Sequence, residues 1–81
     1  MTAEQSRRLL ARAVAYRPIV LPDARPGHWL VQSESDAGHF YRVNGSCDCE
    51  AGRQGRPCKH RICVAAIAKG VLDYGTWTIV A

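Results

Sequence analysis

The sequence predicts a small α+β domain: an N-terminal helix, an antiparallel β-hairpin and a C-terminal helix. Three observations predict it. Apolar residues recur at helical spacing near both ends, as Leu9, Leu10, Ala13 and Val14 and again as Ile62, Cys63, Ala66 and Ile67. Between them, two short runs rich in aromatic and β-branched residues, His28 to Glu34 and His39 to Val43, flank the turn signal Ser35-Asp36-Ala37-Gly38. Cysteine and histidine then fall in two tight pairs, where the second run meets the last helix. At 81 residues, 47% hydrophobic and 22% charged, the chain is globular and not disordered, and has room for one small core. Domains near this length usually need a staple.

Each element has a local cause. Thr2 to Tyr16 reads as a helix with Thr2 as N-cap and Gln5 at the capping-box position, ended by Pro18. Arg7, Arg8 and Arg12 lie mostly away from its apolar stripe. Pro18 to Gly27 holds three prolines and reads as a linker; Ile19-Val20-Leu21 inside it can make at most a short edge strand, which Pro22 limits. His28 to Glu34 reads as a strand with Trp29 and Val31 on one face and Leu30 on the other. His39 to Val43 reads as the returning strand, with Tyr41 and Val43 sharing a face, followed by a second tight turn at Asn44-Gly45. Lys59 to Lys69 reads as the second helix, stopped by Gly70. Thr76 to Val80 reads as a last short strand. The expected organisation is therefore residues 1–27 as a basic amphipathic helix plus Pro-rich linker, 28–70 as the central module, and 71–81 as a short strand and tail.

The chemistry concentrates in Cys47-Asp48-Cys49 and Cys58-Lys59-His60, a C-x-C pair and a C-x-H pair separated by eight residues. Side chains two apart in an extended segment point the same way, so Cys47 and Cys49 can grip one ion. Two apart in a helix is roughly 200° of rotation, so Cys58 must stand just before the helix and His60 in its first turn. Gly52 and Gly55 let the intervening loop fold back. Three thiolates and an imidazole make a tetrahedral zinc site, here one structural ion. The N-terminus shows no apolar secretory segment, so the expected compartment is the cytoplasm, with association to a nucleoid or nucleus left open. Thiols stay reduced there, which disfavours disulfides. Cys63, three residues after His60, is expected as a small core residue, the alternative being a replacement thiolate ligand. His28 and His39 are expected at the surface or partly packed. Trp29, Phe40, Tyr41 and Trp77 are expected in the core, with base stacking as the alternative.

These residues resemble the SWIM-type zinc finger. Cys47-x-Cys49 and Cys58-x-His60, with Gly55-Arg56-Pro57 before the second pair, look like its C-x-C…C-x-H signature. Trp29 to Ser33 and Tyr41 to Val43 look like its two strands, and Ile62 to Ala66 like its closing helix. The likeness covers roughly Trp29 to Lys69, about half of the chain. It implies a β-β-α zinc module with Cys47, Cys49, Cys58 and His60 as ligands, in a family proposed to bind DNA or to mediate protein contacts. The arginine-rich helix Thr2 to Tyr16 has no counterpart in that pattern.

Charge points to the partner. The net charge is +4, and no acidic residue falls between Ala51 and Leu72, where Arg53, Arg56, Lys59, Arg61 and Lys69 all lie. The expected function is nucleic-acid binding, DNA favoured, through these five residues. The alternative is a protein-interaction adaptor, or a homodimer, using the apolar N-terminal helix with zinc purely structural. Neither a membrane nor catalysis is expected: four protein ligands close a zinc sphere, and no H-x-E metal motif, phosphate-cradling glycine loop or Ser-His-Asp order stands out.

Overall fold

Thr2 sets the start of the first element. In the computed structural model, which describes residues 2–80, its hydroxyl accepts from the Gln5 amide at 3.1 Å and its own amide donates to Gln5 Oε1 at 2.9 Å. This closed capping box opens α1 (Ala3–Tyr16). The helix ends where Arg17 takes a left-handed conformation at φ 49°, its amide bonding back to Ala13, immediately before Pro18.

The Pro-rich segment is more ordered than a linker. Val20–Pro22 forms β1, which pairs antiparallel with β2 (Trp29–Gln32), and β2 pairs with β3 (Phe40–Val43). The expected hairpin is thus the inner part of a three-stranded sheet in the order β1-β2-β3. Proline is tolerated because β1 is an edge strand and Pro22 is its last residue. Val31 in the central strand is fully buried, opposite Val20 on one side and Tyr41 on the other.

After β3, Asn44 and Gly45 turn the chain, with Gly45 at φ 99°. Val43 and Cys47 then form an isolated bridge. A one-turn helix, α2 (Glu50–Arg53), stands where the sequence predicts only a loop. It is followed by α3 (Lys59–Ala68). The chain ends in a two-stranded hairpin of β4 (Leu72–Asp73) and β5 (Thr78–Ile79). A residue pair as short as Leu72-Asp73 leaves no alternation to read, so β4 has no sequence signal.

Helix α1 lies against α3, and Leu10 and Ala13 are buried with Cys63, Val64 and Ala66 in one cluster. The stripe on α1 therefore completes the core. Larger exposed apolar side chains sit elsewhere, at Ile19 and Leu21 beside and on β1 and at Ile79 and Val80 near the end. Two tyrosines tie the layers together: Tyr16 donates to the Gln32 carbonyl at 3.0 Å, and the Val20 amide donates to Tyr74 at 2.9 Å. Among the described residues, no helix is long and apolar enough to cross a membrane.

Candidate functional site

The ends of β3, α2 and α3 converge on one point. The ligand atoms of Cys47, Cys49, Cys58 and His60 all lie within 4.8 Å of one another, and all four residues are buried. Cys47 is carried by the bridge to Val43. Asp48 secures that segment, accepting from the Arg42 amide at 2.9 Å while its own amide bonds to the Arg42 carbonyl. Cys49 is the extended N-cap of α2, and Cys58 is the extended N-cap of α3. His60 follows in the first turn of α3, the arrangement the C-x-H spacing requires.

Each capping sulfur accepts an amide three residues on. Gly52 N–H donates to Cys49 Sγ at 3.3 Å, and Arg61 N–H donates to Cys58 Sγ at 3.4 Å. For Cys58, this bond and the N-terminal end of α3 favour the thiolate form that a metal takes. The Cys58 thiol is held down at about 3, chiefly by the neighbouring Cys47 thiol donating to it and further by His60 and the Arg61 amide. Cys47, on the giving side of that contact and buried, is pushed upward.

His60 carries the second sign of a missing partner. Its Nδ1 lies 3.6 Å from Cys47 Sγ, while Nε2 is buried with no hydrogen-bond partner. The Tyr41 ring packs on the imidazole with centroids 4.6 Å apart, and His39 packs edge-on against Tyr41 at 4.7 Å. Tyr41, expected as core or as a base stacker, thus walls the cluster and fixes the histidine ring. Three sulfurs and an imidazole, buried and close together, are a donor set that can hold one metal ion.

Cys63 stands apart from this group. It is fully buried in the core between α1 and α3, and burial raises its thiol to about 11. It is a neutral packing residue. Cys63→Ala should cost about 1–2 kcal/mol for the small cavity and leave metal stoichiometry unchanged, which native mass spectrometry checks.

The basic residues divide. Arg53, Arg56, Arg61 and Lys69 are exposed, Lys69 at the far end of α3 from the cluster. Arg53 also donates through Nε to the Asp48 carbonyl at 2.9 Å, bracing the C-x-C segment. Lys59 is different from the free cation expected: only 14% of its side chain is exposed, its ammonium pairs with Glu34, and it lies 5.1 Å from the centre of the Tyr16 ring. It joins α3 to the end of β2 and to α1.

That hydrogen bond lowers the Glu34 carboxyl below its ordinary 4.5. A depressed carboxyl stabilises the fold above its unfolded value and loses the effect as pH falls through the lowered one. The Tm difference between wild type and Glu34→Gln should hold constant from pH 7 to about 5 and shrink only in more acid solution. A difference already gone at about pH 6 contradicts the pairing.

Sequence reasoning found the four cluster residues and read Gly52 as freedom for the loop to fold back; the structure shows instead that its backbone runs against that of Cys47. Its one signal is position, three residues after a capping cysteine. His28 is half-buried with Nδ1 3.5 Å from Asn44 Nδ2, and His39 is exposed; neither belongs to the cluster. The comparisons add no relative: no protein-family model, curated protein or solved structure matches the chain.

Proposed function

We propose that this chain is a zinc module of the SWIM type that binds nucleic acid, with DNA favoured, through basic residues around the metal. The observation that carries it is the buried Cys3His group, whose second ligand pair lies in a stretch, residues 51–72, that holds exposed Arg53, Arg56, Arg61 and Lys69 and no acidic residue. Zinc is the ion of choice because three thiolates and one imidazole are the donor set of a closed tetrahedral zinc site. The ion supplies a redox-inert cross-link.

The protein's own residues do the rest. Cys47 and Cys49 anchor the end of the sheet, while Cys58 and His60 anchor α3. The turn between the two pairs then presents Arg53 and Arg56 at fixed positions. No catalytic step is assigned, because four protein ligands leave no open position on the metal. Arg61 and Lys69 flank a groove of about 430 Å³ along α3, open to a phosphate backbone. Lys59 serves the fold, and a phosphate reaching it would have to displace Glu34.

Contacts of this kind are mainly to phosphate, so binding should be weakly sequence-specific and salt-sensitive. Fluorescence anisotropy with labelled DNA at about 50 and 200 mM salt tests it. Neutralising about four duplex phosphates gives a log–log slope near −3.6. Absence of binding at the lower salt overturns the nucleic-acid reading and leaves the adaptor.

A further inference from the structure

A second cationic surface lies between α1 and the turn that precedes α3. A cleft of about 440 Å³ opens there. Arg8 and Arg12 line one wall, Arg56 lines the other, and Leu9, Ala51 and Pro57 contribute apolar surface. Arg8 and Arg12 are one helical turn apart on the same face, an arrangement that repels unless an anion lies between them. Among the described residues, Arg12 and Arg56 have no carboxylate within ion-pair distance; Glu50 lines the adjoining pocket that shares Leu9, Arg12, Ala51 and Pro57, and within the cleft itself the charged side chains are the three arginines. Arg8 pairs with Glu4 at 3.1 Å, but both side chains are 70% exposed, so a phosphate can compete for it.

Arg56 is held there by the fold. Gly55 takes φ 71°, and the Arg56 amide bonds to the Ala51 carbonyl at 2.9 Å. Two residues later the chain reaches Cys58 and the cluster. The third arginine is thus placed by the segment that the metal secures.

We infer that this cleft is the path of a single-stranded nucleic acid, with Arg8, Arg12 and Arg56 on its phosphates and the apolar floor beneath its bases. The inference rests on the nucleic-acid reading and moves the principal contact from α3 to α1. Guanidinium groups around an apolar floor match a strand that alternates phosphates with flat apolar base faces. A duplex is read by an element that protrudes into a groove about 12 Å wide. This surface is concave, and the double helix does not enter it.

The test compares two paired variants of the zinc-loaded full chain, Arg8→Gln with Arg12→Gln, and Arg61→Gln with Lys69→Gln. Glutamine keeps helix propensity, and circular dichroism verifies the fold. The probe is a labelled strand of about 12 nucleotides, within the roughly 4–16 typical of small single-strand modules, alongside its duplex. The expected result is tighter binding of the single strand and about tenfold weakening in the α1 variant, with its log–log salt slope reduced by about 1.4 for two lost contacts. The α3 variant should weaken binding less, by about threefold. Loss in the α3 variant alone, equal loss in both, or preference for the duplex overturns the cleft while keeping the nucleic-acid reading. Failure of the wild type to bind either probe overturns both.

Discussion

Stripping the metal from this chain should unfold all of it. Metal binding in small Cys/His modules is worth about 10–16 kcal/mol, as much as or more than the ~5–15 kcal/mol that holds a typical domain together. The cluster residues are core residues here: Cys47, Cys49, Cys58 and His60 are each at most 6% exposed. Without an ion, buried sulfur and imidazole groups are crowded together with Nε2 of His60 unsatisfied. The loss should reach α1, because Leu10 and Ala13 pack with the core residues of α3. Cys58→Ser isolates the metal's part, since serine is itself a good N-cap and the start of α3 keeps its acceptor. Thermal melts by circular dichroism should show a cooperative transition in the loaded protein and none for Cys58→Ser or after chelation. A cooperative melt with unchanged Tm in a strong chelator would contradict the account.

Gly52→Ala should be nearly as damaging, although it removes no ligand. A Cβ at this position would stand 2.7 Å from the Cys47 carbonyl carbon and closer still to its oxygen. Both are backbone atoms, with no side-chain rotation to relieve the contact. Moving them displaces Cys47, and moving Gly52 breaks its bond to Cys49 Sγ. We expect a loss of about 3 kcal/mol or more and metal affinity reduced about 10–100-fold, as for disrupted supporting contacts at metal sites. Gly55→Ala is the contrast. Its Cβ meets nothing, so it pays only for its positive φ, about 1–2 kcal/mol. Competition with a zinc-sensitive dye measures both variants. Equal affinity for Gly52→Ala and wild type would refute the close approach.

The cluster was legible because its chemistry is local. Two cysteines one residue apart need extended backbone, a C-x-H pair needs a helix boundary between its members, and Pro57 and Gly55 sit where those demands fall. The α1 helix was legible from Thr2, Gln5 and Pro18 for the same reason. What sequence order concealed came from contacts between distant segments. Lys59 counts as a free cation until Glu34 and Tyr16 are folded beside it. The three prolines of 18–27 argue for a linker, and only pairing with Trp29–Val31 makes β1. Helix α2 contains Gly52 in four residues and has no apolar period of its own; the sulfur cap at Cys49 makes it. The placement of Arg56 across from Arg8 and Arg12 depends on how α1 lies over the metal turn, which no spacing encodes.

The central claim is that Cys47, Cys49, Cys58 and His60, and not Cys63, hold one zinc ion. X-ray absorption at the zinc edge of the purified protein tests this most directly. The account predicts one zinc per chain with about three sulfurs near 2.3 Å and one nitrogen near 2.0–2.1 Å, the same in Cys63→Ala. A shell of four sulfurs, a shell dominated by oxygen and nitrogen, or a protein that takes up no zinc would contradict it.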